Sequence, residues 1–471
     1  MSENLYYRDL RGSMSRFDSI TSEQVSSISS NTLTYAALSQ MLLEYGLSVD
    51  KIVFDKSRSF SNAFYADFDK GLYCEVYMQM QNFAEGHRPL FQDLERKHRL
   101  GNEHIAEKNW SGFYTIDVPL PMQAYDFQKR MHQIHASQVF DIWMQIYKRI
   151  DYSNGSWLSE TIEYVFAHAP KTEKPVPQKN GMVLLYRGIG ELSQKSESAI
   201  SWSTHPGNAL WFANHSGRGT HLMLGEIRPE DIVAYFPGFH HENEVLVNPG
   251  TVKNIQSADM LPATQEVFTG LVAPMLKEFV TLGRQTLRFG YSQTREGIFN
   301  VHGVHHILRV LFLSLLYYCK SDDTLTEADK QILIYFSILH DVARTHDGPD
   351  EEHGDAAVAR IHSDGLRIKG IRLSKKDYRI AETIIRYHCR ADDAGIIKID
   401  ALPGFSRKEK ERTKKLFYIC KDMDGLDRVR FNGLDYRLLR THYAAKLPLI
   451  AGCLLKEDIL SFLNAADSFS V

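Results

Sequence analysis

The sequence predicts a multidomain α+β protein with a helical N-terminal region, a small mixed core rich in strands and an all-α C-terminal unit. The first observation is length, because 471 residues exceed one ordinary core and correspond to roughly three domains. The second is a change of pattern after the proline- and lysine-rich stretch 170–181. The third is a return to helical periodicity beyond residue 282. Together they divide the chain into three structural units.

The N-terminal part carries no recognisable chemistry. Residues 1–30 are rich in Ser, Thr and Asn without periodicity, which is typical of a flexible terminus. Over residues 31–170, segments such as TYAALSQMLLEYGL and FQKRMHQIHASQVFDIWMQIYKRI space apolar residues by three and four, which predicts helices. We expect this region either to recognise a target or to pack over the central core.

The central unit, residues 181–258, reads as strands. The runs MVLLYRGI, AISWST, THLMLGEI and NEVLVNPG are short, apolar and punctuated by Gly, Pro and Asn, and HPGNALWFANH between the second and third predicts a short helix. Residues 282–445 form an all-α unit by their periodicity. The tail 446–471 is mildly amphipathic, which fits a last packed helix or a secretion signal.

Composition excludes several classes of function. The net charge of -3 and the lack of a basic stripe argue against a nucleic-acid partner. The longest apolar stretch, 307–319, contains Arg309 and is too short for a membrane span. Five scattered cysteines without CxxC spacing indicate free thiols in a reducing compartment. We therefore expect a cytosolic protein, or one secreted into a host cell without a cleaved signal.

Polar residues in the central strands suggest a nucleotide site. Arg187 ends a strand and precedes Gly188, so it could grip a diphosphate by a bidentate fork. Ser201 and Ser203 share one strand face, and Glu242 and Glu244 alternate at the lip of another strand. In such a pair, one carboxylate can stabilise an oxocarbenium-like centre while the other acts as a base. Taken singly, each residue could equally belong to a solvated surface.

In their order, these residues resemble the R-S-E class of mono-ADP-ribosyltransferases, over about residues 181–255. The resemblance implies that Arg187 binds the diphosphate of NAD, that Tyr186, Ser201 and Ser203 help to hold NAD, and that Glu244 is catalytic. Glu242 would begin the ExE motif, which in this family accompanies transfer to an arginine side chain. The segment 235–241, YFPGFHH, lies where the family has its acceptor-recognition turn. On this likeness residues 31–170 would either recognise a target or be the helical lobe that many such transferases fold over NAD.

Histidine and carboxylate residues recur along the C-terminal helices. His302 and His306 are four apart on one helix face, and an apolar helix runs directly into His340 and Asp341. Such ligands from several helices suit a divalent metal that activates water against phosphorus, although one histidine alone is more often structural. The later candidates of the same type are His353, His388 and Asp424.

The patterns HGxxHxxRV and LHDxARxxDGxDxxHG resemble the HD superfamily of phosphohydrolases and phosphodiesterases, over about residues 290–435. The resemblance implies a divalent metal, Mn, Mg or Fe. Its ligands would be His306, His340, Asp341 and Asp424, with His353 and His388 as further ligands or acid/base groups.

A narrower likeness concerns the SidE family of bacterial effectors, which joins a phosphodiesterase to an R-S-E transferase. Here the order is reversed, with the transferase first. The likeness implies a histidine-centred alternative in which His302, His306 and His388 are catalytic without a metal.

Both chemistries can act in sequence. NAD would modify an arginine on a protein target, either this chain itself or a host protein such as ubiquitin, and the phosphodiesterase would cleave ADP-ribose to phosphoribose and AMP. Alternatively, the helical unit hydrolyses a free nucleotide or cyclic dinucleotide, while the central unit regulates it or only binds nucleotide.

Overall fold

A computed structural model describes most of the chain: residues 17–23, 25, 34–55, 63–76, 92–150, 157–191, 193–215, 217–238, 242–291, 302–346, 348–457 and 459–465. The protein is mixed α+β and 56% helical, with two small antiparallel sheets and a helical C-terminal region. The predicted fold class is confirmed at this level. Most of the segment 1–30, which was predicted to be flexible, and the end of the tail lie outside the described residues. The described part of that segment is ordered instead, because Phe17–Ser19 forms a strand and Ile20 and Val25 are buried.

The first sheet was not predicted, because residues 31–170 were expected to be mostly helical and residues 1–30 to be flexible. Its strands follow the order β1-β2-β3-β4. Their bounds are β1 Phe17–Ser19, β2 Ile52–Asp55, β3 Ala63–Asp67 and β4 Leu72–Val76. Short apolar runs of this kind cannot be told from buried helix by periodicity.

A local turn closes the β3–β4 hairpin of this sheet. The Asp67 carboxylate accepts hydrogen bonds from the backbone N–H groups of Asp69 and Lys70, at 3.2 and 3.1 Å. Gly71 follows with a φ of 63°, which glycine adopts readily. The sequence DFDKG was therefore an available hairpin signal.

Helices make up most of the other described residues of the N-terminal region, as predicted. They are α1 Tyr35–Glu44, α2 Leu94–Ala106, α3 Trp110–Gly112, α4 Leu120–Arg130, α5 Ala136–Tyr147 and α6 Ser159–Ala167. Phe140, Trp143 and Ile146 of α5 are buried in a core that also contains Ala234 and Leu246 of the central unit. The N-terminal helices therefore cover one side of the central sheet.

The central sheet contains the four strands predicted from the sequence and two more. All its pairings are antiparallel, in the order β10-β7-β5-β6-β9-β8. The strands are β5 Val183–Gly190, β6 Ser201–Ser203, β7 Gly219–Ile227, β8 Ile232–Phe236, β9 Glu244–Val247 and β10 Lys253–Ser257. The predicted short helix is α7 Pro206–His215.

The sheet is weakly joined between β5 and β6, where Tyr186 and Ser203 form the one registered pair. Across this junction the ring of Trp202 on β6 packs against Gly225 on β7. A Cβ at Gly225 would lie 3.3 Å from that ring and 2.4 Å from Val252. The sheet therefore folds over a small apolar cluster, with the polar candidates at the junction.

The C-terminal region is helical, as predicted. Its helices are α8 Gln265–Val272, α9 Leu276–Thr286, α10 Val304–Lys320, α11 Glu327–Leu339, α12 His353–Ser363, α13 Lys375–Tyr387, α14 Asp392–Asp400, α15 Arg407–Leu426, α16 His442–Ala445, α17 Pro448–Lys456 and α18 Ser461–Ala465. Capping boxes begin α11 and α15. Among the described residues, no helix combines the length and hydropathy that crossing a bilayer requires.

The central sheet and the C-terminal helices share one hydrophobic core. Tyr186 and Leu210 belong to the same buried cluster as Leu449 of α17. Close packing continues at α7, where a Cβ on Gly207 would lie 2.3 Å from the carbonyl oxygen of Asn432. These two regions are therefore in direct contact over buried surface.

Candidate functional site

The structure brings Arg187, Ser201 and Glu244 together at the junction of β5 and β6. Nη1 of Arg187 donates to the carbonyl oxygen of Ser201 at 2.8 Å. The hydroxyl of Ser201 donates to Oε1 of Glu244 at 2.7 Å. Strand pairing sets this geometry, because β6 and β9 are in register from Ser203 opposite Glu244 to Ser201 opposite Leu246.

Ser203 and Glu242 lie beside this group. The Ser203 hydroxyl donates to the carbonyl oxygen of Glu242 at 2.8 Å and accepts from the backbone N–H of His205 at 3.1 Å. Glu242 has a φ of 60°, in the left-handed region that non-glycine residues rarely adopt. Ser203 therefore binds the strained turn that carries the first glutamate of the pair. Residues 239–241 of the expected acceptor-recognition segment lie outside the described residues.

Burial perturbs the ionisable groups of this site. Burial lowers the pKa of Arg187 to about 10, and its Nε is buried without a hydrogen-bond partner. Burial, followed by the charge of Glu244, raises the pKa of Glu242 to about 7. Burial also raises the pKa of Glu244, although hydrogen bonds from Ser201 and Tyr147 oppose the shift. An unpaired buried arginine donor next to two perturbed carboxyls is typical of a functional site.

Tyr147 is a member of this site that the sequence did not reveal. Its hydroxyl, at the end of α5, donates to Oε1 of Glu244 at 2.7 Å. Its ring stacks on Trp143 with 4.7 Å between the ring centroids. In the sequence both aromatics belong to an apolar helical stripe, and such stripes are usually core. No sequence signal separated Tyr147 from its core neighbours.

Tyr186 occupies a different environment from Arg187. Its ring is buried against the C-terminal region, with the Arg437 guanidinium 5.5 Å from the ring centroid. Its hydroxyl is buried without a hydrogen-bond partner. The predicted cofactor residue Tyr186 thus packs beneath the C-terminal region.

In the C-terminal region, the ends of several helices bring the predicted ligands into one cluster. Asp341 lies at its centre, within 3.8 Å of each of the five histidines. The cluster contains all seven predicted residues: His302, His306, His340, Asp341, His353, His388 and Asp424.

Hydrogen bonds fix the tautomers of His306 and His340. Nδ1 of His306 lies 2.8 Å from Asp427, and Nδ1 of His340 lies 3.2 Å from the Phe336 carbonyl oxygen. Both Nδ1 atoms therefore carry the proton, which leaves each Nε2 as an acceptor in the neutral ring. These Nε2 atoms face each other at 3.2 Å.

Two carboxylates complete this acceptor group. Oδ1 of Asp424 lies 3.4 Å from Nε2 of His306 and 3.8 Å from Nε2 of His340. Oδ2 of Asp341 lies 3.7 and 3.8 Å from the same nitrogens. Four acceptors face one another, and only a cation or an extra proton can compensate their repulsion. The donor set suits a divalent cation.

His353 and His388 form a second acceptor group. Their Nε2 atoms lie 2.9 Å apart, and Oδ1 of Asp341 lies 3.2 Å from Nε2 of His353. Nδ1 of His388 donates to the Ile385 carbonyl oxygen at 2.7 Å. Nδ1 of His353 lies 2.6 Å from the Asp350 carbonyl oxygen. Asp341 Oδ1 is buried without a hydrogen-bond partner. The two oxygens of Asp341 therefore serve two adjacent acceptor groups.

Arg344 lies over the ring of His353. Its Nη1 is 2.9 Å from Nδ1 and 3.4 Å from Nε2, distances that place it above the ring rather than in its plane. The Asp350 carbonyl oxygen therefore remains the in-plane partner of Nδ1. Cys389 also lies near this group, within 4.8 Å of ligand atoms of His353 and His388.

Asp427 supports the cluster and was not among the predicted ligands. It accepts from Nδ1 of His306 and from both Nε and Nη2 of Arg309, the latter at 2.9 Å. A carboxylate bonded to the far nitrogen of a histidine fixes the ring and makes it a better ligand. The sequence signal was the spacing in KDMDGLDRV, whose other acidic residue, Asp422, instead binds Thr441 and Arg440.

Electrostatics keep the central carboxylate ionised and one histidine neutral. Burial alone would raise the pKa of Asp341, but His340 and the hydrogen bond from His302 hold it well below its usual range. Burial lowers the pKa of His340 to about 3. Burial and Arg430 oppose protonation of His306, but hydrogen bonds with Asp424 and Asp427 raise its pKa. Ionised Asp341 and neutral His340 are in the states that bind metals, whereas the raised pKa of His306 favours an extra proton that a bound cation would displace.

The chain matches no protein-family model, no curated protein and no solved structure.

Proposed function

We propose that the chain is a bifunctional enzyme: an NAD-dependent mono-ADP-ribosyltransferase core acting on arginine, followed by an HD-type phosphodiesterase. The hydrogen bond from Ser201 to Glu244 beside buried Arg187 carries the first half of the proposal. The acceptor groups around Asp341 carry the second.

In the transferase, each polar residue has a separate task. Arg187 binds the diphosphate of NAD through its unpaired donors. Glu244, held by Ser201 and Tyr147, stabilises positive charge on the ribose as the bond to nicotinamide breaks. Glu242 accepts the proton that the attacking arginine nitrogen loses. The products are nicotinamide, a proton and ADP-ribosylated arginine.

The C-terminal residues fit a pair of divalent cations. His306, His340 and Asp424 would hold one, and His353 and His388 the other, with one oxygen of Asp341 turned to each. Bound divalent cations lower the pKa of water and neutralise phosphoryl charge. His302, which contacts Asp341 at 3.1 Å, is placed to exchange a proton at the edge of the centre.

The two reactions connect through the diphosphate. Water adds to one phosphorus atom of the ADP-ribose, the P–O–P bond breaks, and AMP leaves a phosphoribosylated arginine behind. The acceptor is a protein arginine, on this chain or on a host protein such as ubiquitin. Proximity within one chain favours the second step kinetically.

Intact-mass measurement after incubation with NAD and a candidate acceptor tests the sequence of reactions. We expect phosphoribose on the acceptor with the wild type, no modification with Glu244→Ala, and ADP-ribose accumulation with His340→Ala. His362→Ala, at a largely exposed histidine, is the matched control and should behave as wild type. An unchanged product mass with His340→Ala would exclude the coupling.

Metal content separates the metal-assisted route from the histidine-centred one. After loading with Mn²⁺ and desalting, we expect about two ions per chain, and losses in His340→Ala and His388→Ala, because each acceptor group binds one cation. Metal-free protein that retains full activity, with His302, His306 and His388 still essential, would support the histidine-centred alternative.

A second candidate follows from the closed central site. Arg187 and Glu244 are only 9% and 8% exposed. In this candidate the central unit binds a nucleotide without turnover and regulates hydrolysis of a free nucleotide or cyclic dinucleotide. Binding of ADP-ribose without release of nicotinamide from NAD, together with nucleotide-stimulated phosphodiesterase activity, would favour it.

A further inference from the structure

Arg430 is a buried cation at the metal-type cluster with unfilled hydrogen-bonding capacity. Its side chain is 7% exposed, and its Nη1 donates to Asp427 at 2.9 Å. Its guanidinium lies 4.2 Å from the ring centroid of Phe431. Nε is buried and has no hydrogen-bond partner. A buried guanidinium donor left unpaired costs stability, so it requires a reason.

Asp427 alone does not account for Arg430. That carboxylate is already bound by two nitrogens of Arg309 and by Nδ1 of His306. The charge of Asp427 is therefore already neutralised by Arg309, and Arg430 adds a further positive charge. Asp427 Oδ2 joins Arg430 to the cluster, because the same oxygen lies 2.8 Å from Nδ1 of the predicted ligand His306 and 2.9 Å from Nη1 of Arg430.

The charge balance of the cluster points to a polyanionic ligand. The three carboxylates of Asp341, Asp424 and Asp427 are matched by Arg309, Arg344 and Arg430. Divalent cations bound there would therefore add uncompensated positive charge. A diphosphate diester supplies two anionic phosphates, whereas a simple phosphodiester supplies one.

We propose that Arg430 is a substrate-binding residue of the C-terminal centre that contacts the second, non-reacting phosphate of a diphosphate. This inference rests on the proposed phosphodiesterase function and narrows its substrate class to nucleoside diphosphate derivatives such as ADP-ribose. The scissile phosphate is held at the predicted ligands. Arg430 binds the adjacent phosphate through the guanidinium donors that do not bond to Asp427. It therefore selects diphosphates over monophosphate diesters.

Steady-state kinetics of the full-length, Mn²⁺-loaded protein test this assignment. The two substrates are free ADP-ribose and bis(p-nitrophenyl) phosphate, which carries one phosphate. For Arg430→Gln, we expect kcat/KM for ADP-ribose to fall about 10- to 100-fold, mainly through KM, as for a lost charged hydrogen bond. Turnover of bis(p-nitrophenyl) phosphate and the Mn²⁺ content should stay unchanged. Arg430→Lys should keep part of the affinity, and Arg428→Gln, at an exposed neighbour, should match wild type.

Four outcomes overturn the inference. Equal losses on both substrates, or loss of Mn²⁺ from Arg430→Gln, would assign Arg430 to supporting Asp427. Unchanged kinetics on both substrates in Arg430→Gln would remove any substrate contact, while the phosphodiesterase proposal stands. A wild-type protein that hydrolyses neither substrate would refute the phosphodiesterase function, and the inference with it.

Discussion

At the scale of residues, the sequence predicted the reactive side chains of both sites better than the side chains that orient them. Arg187, Ser201 and Glu244 could be found because their order along the strands suggested a site, and strand register brings them together. Tyr147 could not, because 97 residues separate it from Glu244 and its contact depends on tertiary packing. Asp427 was visible only as one of several acidic residues near Asp424. Chemistry-bearing side chains leave sequence signals, whereas the side chains that orient them leave few.

Glu242 supplies a pH prediction. Burial and the charge of Glu244 raise its pKa to about 7. In the transferase that we propose, Glu242 is the general base, and a general base must be ionised to accept a proton. Transfer of ADP-ribose to an arginine analogue should therefore rise as the pH increases through about 7 and then level off. Glu242→Gln should abolish this transfer at every pH, and Glu230→Gln, at an exposed glutamate, should not. Retention of the same pH rise in Glu242→Gln would assign it to another group.

At the scale of elements, the hydrophobic pattern of the sequence predicted the type of most helices and strands but missed short strands. The C-terminal helices and central strands have clear periods, whereas β2 to β4 are runs of four or five residues inside a region dominated by helices. The helical N-terminal region was expected to recognise a target or to form a lobe over NAD. The structure places the end of α5 directly against Glu244. One helix thus connects the N-terminal core to the ionisable centre of the sheet.

Tyr147→Phe tests that connection. The substitution keeps the ring on Trp143 but removes a hydrogen bond that lowers the pKa of Glu244, so this pKa should rise further. We expect nicotinamide release from NAD to fall about tenfold at neutral pH, as for one lost charged hydrogen bond. The rate profile should also shift to higher pH. Tyr164→Phe, on α6, is the control. If Tyr147→Phe does not change the rate, the role of Tyr147 is limited to packing.

At the scale of the whole molecule, the central sheet and the C-terminal helices are packed as one body at α7. Gly207 leaves no room for a side chain, because its Cβ would meet the backbone oxygen of Asn432 at 2.3 Å. Gly207→Ala should destabilise the protein by about 1–3 kcal/mol through overpacking. Gly270→Ala, in α8, meets nothing within 4 Å and should be neutral or stabilising by up to about 1 kcal/mol. Differential scanning calorimetry measures both, and equal melting of Gly207→Ala and wild type would contradict this packing.

The passage from the last central strand into the C-terminal helices has a consequence for dissecting the protein. Ala258 and Ala263 donate backbone hydrogen bonds to Leu222 and Gly219 of β7, and Leu261 between them donates to Lys446. A protease needs an extended segment free of such bonds, so it should cut here slowly. If the peptide bond is broken, the fragments still share buried surface and should elute together in gel filtration. Assays of either chemistry therefore belong on the intact polypeptide rather than on excised halves.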